Sequence, residues 1–172
     1  MSAPLTIAIT KGARDDHVVA ARGGKPLASF AFPHKGPVPH DALHLIVERA
    51  LGLREAFWGH VARGLSPEEI AARAKSGGHA SAKRATMPDP ALVELIQAER
   101  VVECFEAQLW SCEDDAAALI ALAAVACASS HVPPPALDAA TATATTAEIC
   151  AFAARWTEAP AGHVETFTWE LL

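Results

Sequence analysis

Leu43, Ile46, Val47, Ala50 and Leu51 recur at the spacing of one helical face, at about 100° per residue. Pro37 and Pro39 fit just ahead of a helix, and Gly52 supplies a stop. The pattern therefore predicts a helix over residues 40–51. On it, His40, His44 and Glu48 follow at i, i+4 and i+8 as a polar stripe beside the apolar one, with Asp41 at its edge.

The rest of the chain reads as strands first, then helices. Residues 5–10, 17–21 and 27–32 have the alternating, β-branched character of strands, separated by turns around Gly12 and Gly23-Gly24. A short helix is predicted over 54–62, with Phe57 and Trp58 as packing anchors. Ser66-Pro-Glu-Glu69 is a capping box that opens another, and Asp89-Pro90 caps a long helix over 91–110. Glu113-Asp-Asp115 suits the start of a helix running to residue 129. Its apolar run over 116–128 is too short to span a bilayer and predicts a buried helix. Pro133-Pro-Pro135 breaks the chain before a last helix reaching residue 157. Residues 162–171 alternate as a terminal strand, expected to pair with the N-terminal hairpin, since a lone strand leaves backbone groups unpaired. The fold expected is α+β: mostly helical, with a small antiparallel sheet from the N-terminal strands and the C-terminal strand.

Composition narrows the function classes. The 172 residues predict a single domain over 1–172 with a core that needs no staples. Fourteen basic residues spread thinly at net charge −6 give no footprint for nucleic acid, and no basic amphipathic stretch points to a membrane surface. No leader pattern follows Met1, and Cys104, Cys112, Cys127 and Cys150 lack metal-finger spacing. They read as small buried hydrophobes in a reducing, cytoplasmic setting.

The candidate chemistry lies on the organising helix. Two histidines four apart can reach one divalent metal such as zinc, and a carboxylate one turn on can be a third ligand. The expected ligands are His40, His44 and Glu48, with Glu48 alternatively orienting a ligand histidine. Asp41 is the candidate catalytic base. His40-Asp41-x-x-His44 has the ligand spacing of the zincin His-Glu-x-x-His motif, but Asp41 is a methylene shorter than the glutamate of that motif. The chain is not read as a metalloprotease. Glu99, Glu103 and Glu106 share a face of the long helix and could complete the site, as in carboxylate-rich bundles. The plain alternative gives these residues structural roles: His40 at the helix start, His44 bonded to a carbonyl, Glu48 in solvent or paired with Arg49 or Arg54, the acid row a solvated face. Gly77-Gly78-His79, with Lys83 or Arg84, is a weak anion-binding signal. No nucleophile elbow or dinucleotide fingerprint occurs.

Pro39-His-Asp-x-x-His44-x-x-Val-Glu48, followed by Leu51-Gly and Ala56-Phe-Trp-Gly59, resembles a family of small bacterial proteins of uncharacterised activity. Those carry a similar histidine-acid segment followed by Phe-Phe/Trp-Gly. Where they often have Tyr after the second His, this chain has Leu45. The resemblance implies a shared fold and site and carries no activity with it.

Two functions follow as expectations. The first is a metal-binding protein, in its furthest form a metal-assisted hydrolase acting on an unknown small molecule. The second is a non-enzymatic module holding a small ligand or protein partner in a groove near Phe57 and Trp58. A homodimer through the long helices fits either.

Overall fold

A computed structural model describes residues 3–76, 88–112 and 114–170. The expected α+β architecture is present. β1 (Leu5–Thr10), β2 (Asp15–Arg22), β3 (Lys25–Pro33) and β4 (Val164–Trp169) form an antiparallel sheet in the order β3-β2-β1-β4. The terminal strand pairs with β1, Leu5 opposite Trp169 and Thr10 opposite Val164. Alternation sends Leu5, Ile7 and Ile9 of β1 and Phe167 and Trp169 of β4 to the same buried side. Gly162 and Lys11 bond through their backbones beside this seam, and the Lys11 ammonium donates to the carbonyls of Trp156 and Ala159. That contact ties the sheet to the end of the last helix.

The helices are α1 (His40–Leu51), α2 (Phe57–Ala62), α3 (Pro67–Ser76), α4 (Val93–Ser111), α5 (Ala116–Ser129) and α6 (Ala139–Glu158). Sheet and helices share one apolar core. α1 is its centre: every residue from Ala42 to Glu48 is buried, and the helix packs on α2, α4 and α6. Gly52 ends it at φ 65°, a left-handed conformation that glycine adopts without strain. Of the predicted apolar stripe, Leu43, Ile46 and Val47 are fully buried while Ala50 is exposed.

Local caps form where the sequence places them. Ser66 and Glu69 exchange side chain-to-backbone bonds at 3.2 and 2.7 Å, a completed capping box. Asp89, Asp115 and Asp138 each accept a bond from a backbone amide of the helical turn they open. α4 begins with a 3-10 turn at Pro90–Leu92, and α6 starts at Ala139, after an extended proline segment.

Two expectations fail. α5 is not a buried helix: only Leu119, Ala123 and Cys127 are buried, whereas Leu122 and Val125 are 48% and 66% exposed. It packs on α4 and α6 along one side, so its outer side is apolar and open. The cysteines also divide. Cys104 and Cys127 are buried, while Cys112 and Cys150 are exposed. Cys112 ends α4 at φ 56° and Cys150 lies on the outer side of α6, and a helix buries only the side that meets a neighbour. Residues 77–87, with the Gly77-Gly78-His79 signal, lie outside the described residues.

Candidate metal site

Two turns of α1 and two turns of α4 build the site. His40 begins α1 directly after Pro39, and His44 sits one turn on, its ring centroid 4.8 Å from that of His40. α4 crosses in front of them and presents Glu99 to both. Glu99 Oε1 is 3.6 Å from His44 Nε2, and its Oε2 is 3.9 Å from His40 Nε2. Ligand atoms of His40, His44 and Glu99 all lie within 4.8 Å of one another. Glu106, two turns further along α4, brings an oxygen to 3.4 Å from His40 Nδ1. Glu103 turns away and pairs with Arg100 at 2.9 Å.

Glu48 stands behind His44 instead of beside it. It is fully buried, and its Oε1 bonds His44 Nδ1 at 3.0 Å. Its Oε2 accepts the Trp58 backbone N–H at 2.8 Å. A buried carboxylate is costly unless bonded, and here both oxygens have partners. The arrangement corrects two readings. Glu48 is neither a solvated acid nor a direct member of the three-residue cluster. His44, 5% exposed, is held by a side chain, not by a main-chain carbonyl. Its Nε2 is the nitrogen that faces Glu99.

The Phe57-Trp-Gly59 segment makes this possible. Gly59 packs so closely on the chain before it that a Cβ would lie 1.7 Å from the Arg54 carbonyl oxygen. That approach brings the start of α2 against α1. The Trp58 amide then reaches Glu48, and the Trp58 indole N–H donates to the Asp41 carbonyl at 3.0 Å. Trp58 is fully buried, the packing anchor expected. His60 is buried too, with Nδ1 2.9 Å from the Arg63 guanidinium; burial and that neighbour hold its pKa down.

The electrostatics follow from this crowding. Burial opposes a charge on His44, but Glu48 and Glu99 on either side outweigh it, and the imidazole is pushed up to about 10. His40 is raised chiefly by Glu99, against burial and the repulsion of His44. The two histidines hold the Glu99 carboxyl well below the usual carboxylate range. Burial pushes the Asp41 carboxyl up, while His44, His40 and Lys35 pull the other way. Burial likewise raises Glu48, opposed by His44 and the Trp58 and Phe57 amides.

The cluster opens on a cleft of about 720 Å³ that runs between α1, α3 and α4. His40, Asp41, His44 and Glu99 line one part of it, and Phe57, Ile70, Ala74 and Leu95 another. Asp41 thus borders the same space as the histidines, as a base would have to. The stripe on α1 named His40, His44 and Asp41. Glu99 and Glu106 were legible as an acid row, though which of its members turn toward α1 was not. Lys35 and the apolar residues of α3 carried no signal of their own, because Lys35 lies in the segment before α1 and only the packing of α3 on α2 brings Ile70 and Ala74 to the cleft.

No family model matches the chain, and neither a curated protein nor a solved structure matches it.

Proposed function

We propose that the protein binds a divalent metal ion such as zinc through His40, His44 and Glu99, with Glu106 close enough to His40 to join or to orient it. The observation that carries this reading is the division of labour at His44. Glu48 fixes one ring nitrogen, and the other faces a second histidine's neighbour carboxylate beside a cleft. A histidine ligand commonly gives its second nitrogen to a carboxylate, which sets the tautomer and ring direction. Ligands of a tetrahedral zinc at about 2.1 Å are about 3.4 Å apart. The two Glu99 oxygens lie 3.6 and 3.9 Å from the two rings, and one atom from each residue gives a set within 4.8 Å, so a bound ion would draw the three side chains inward, the half-exposed Glu99 among them.

Two histidines and one carboxylate leave coordination positions open, and a metal so held supplies Lewis acidity to a substrate oxygen, the chemistry of metal-assisted hydrolysis. In that reading Asp41 takes a proton at its carboxylate, and the apolar wall of the cleft keeps bulk water from the reacting group. The competing idea of a non-enzymatic module expects an exposed apolar patch and no meeting of histidine and acid side chains; the open side of α5 favours it and the cluster favours the metal reading. Elemental analysis of protein purified without chelator or affinity tag tests the reading. One equivalent of a divalent metal supports it; a metal content near zero after growth in zinc-replete medium removes it.

The homodimer proposed through the long helices would use the open side of α5. Residues 116–130 carry no charge, and Trp110, Leu122 and Val125 are all about half exposed or more. Among the described residues no helix is long and apolar enough to cross a membrane. A cytoplasmic location accords with four free cysteines.

A further inference from the structure

The metal cluster occupies only part of its cleft, and the rest of the wall does nothing to hold an ion. Phe57 from α2, Ile70 and Ala74 from α3 and Leu95 from α4 make an apolar flank. Lys35, in the segment leading into α1, and Lys75, in the last turn of α3, border the same space and are exposed. Among the described residues neither lysine is in an ion pair. Two of the three carboxylates on the cleft are engaged, Glu48 with His44 and the Trp58 amide and Glu99 with both histidines, and the third, Asp41, lies beside the histidines within the reach of Lys35's charge. A space of this size, with an apolar flank beside a charged end, is that of a small-molecule site. Two lysines without an ion pair stand against the one carboxylate of Asp41, so the uncommitted charge is positive on balance, and a bound divalent metal would add to that.

We propose that the cleft takes a small amphipathic carboxylate, its apolar body against Phe57, Ile70, Ala74 and Leu95 and its anionic head toward the lysines and the metal end. This deepens the metal reading and rests on it for one contact of the head. An amine of the same shape meets like charge at both lysines. A short acid such as acetate lacks the body that the flank would cover.

The test is calorimetric titration of the zinc-loaded protein with octanoate, octylammonium and acetate. Octanoate binds at one equivalent, and the other two bind far more weakly. Lys35→Glu and Lys75→Glu each weaken octanoate by about fivefold, the scale of a partly exposed ion pair. Ala71→Glu sets a carboxylate into the wall at an exposed position of α3 that tolerates it, and abolishes octanoate binding. Octylammonium binding as well as octanoate, or octanoate unaffected by Ala71→Glu, overturns the inference. So does zinc uptake of one equivalent with no octanoate binding, which leaves the metal reading standing. If zinc is not taken up, the metal reading falls and the metal-free protein decides the cleft: octanoate binding that Ala71→Glu abolishes supports the inference, and no binding overturns it.

Discussion

His34 meets the Asp16 carboxylate through Nε2 at 2.7 Å, and His44 meets the Glu48 carboxylate through Nδ1 at 3.0 Å. Both acids are buried, Asp16 at 4% exposure and Glu48 at 0%. On the pair alone the two regions look alike. They differ in what surrounds them. Asp16 also accepts the Gly12 amide, and the His34 backbone bonds the Arg14 carbonyl, so this pair fastens the first hairpin turn to the end of β3. His34 is exposed, and among the described residues no second acid lies within ion-pair distance of it. At His44 the remaining nitrogen points to Glu99, a second histidine stacks edge-on, and a cleft opens alongside. A histidine on a buried acid is therefore weak evidence for a site. Convergence on the histidine's other nitrogen, next to open space, is what separates a brace from a candidate ligand.

The largest effect that separates the regions is on metal affinity. His44→Ala is expected to weaken zinc binding by more than about a hundredfold, and His34→Ala to leave it unchanged, both read by competition with a chelating dye. Equal affinities in the two variants would erase the distinction. Next comes Glu48→Gln, expected to cost about ten- to a hundredfold in zinc affinity because His44 loses the acceptor that sets its tautomer. Asp16→Asn should do nothing to zinc.

Stability gives the third contrast. Glu48→Ala leaves the Trp58 amide and His44 Nδ1 unpaired in the core and is expected to cost about 3 kcal/mol in urea unfolding. Asp16→Ala, whose histidine partner reaches water, is expected to cost about 1 kcal/mol. A fourth and smaller effect is in pH. In metal-free protein the His44 imidazole sits at about 10 against 6.5 for the free group. Its stabilising charge is fully present below about pH 6.5 and is lost as pH climbs through about 10. The melting temperature should fall across that interval, and His44→Gln should flatten the fall.

How far the sequence carried can be read from single residues. α1 was legible to the residue because prolines and a glycine punctuate it, and β4 because its alternation is unbroken. The capping box at Ser66 was equally plain. Which of its two roles Glu48 takes was not legible for a physical reason: the polar stripe on α1 says which residues share a side, not that α2 lies across its last turn and buries one of them. Glu99 and Glu106 could be singled out only once α4 was known to cross α1, which is tertiary information. α5 misled because its composition is that of a fully buried helix, yet two neighbours cover only one side of it.

X-ray absorption at the zinc edge of the metal-loaded protein tests the central claim most directly, since it reports the ligand atoms themselves. The account predicts a light-atom shell at about 2.0–2.1 Å with the outer scattering of two imidazoles, absent one imidazole in His44→Ala. A sulfur shell at about 2.3 Å, or an unchanged spectrum in His44→Ala, would contradict it.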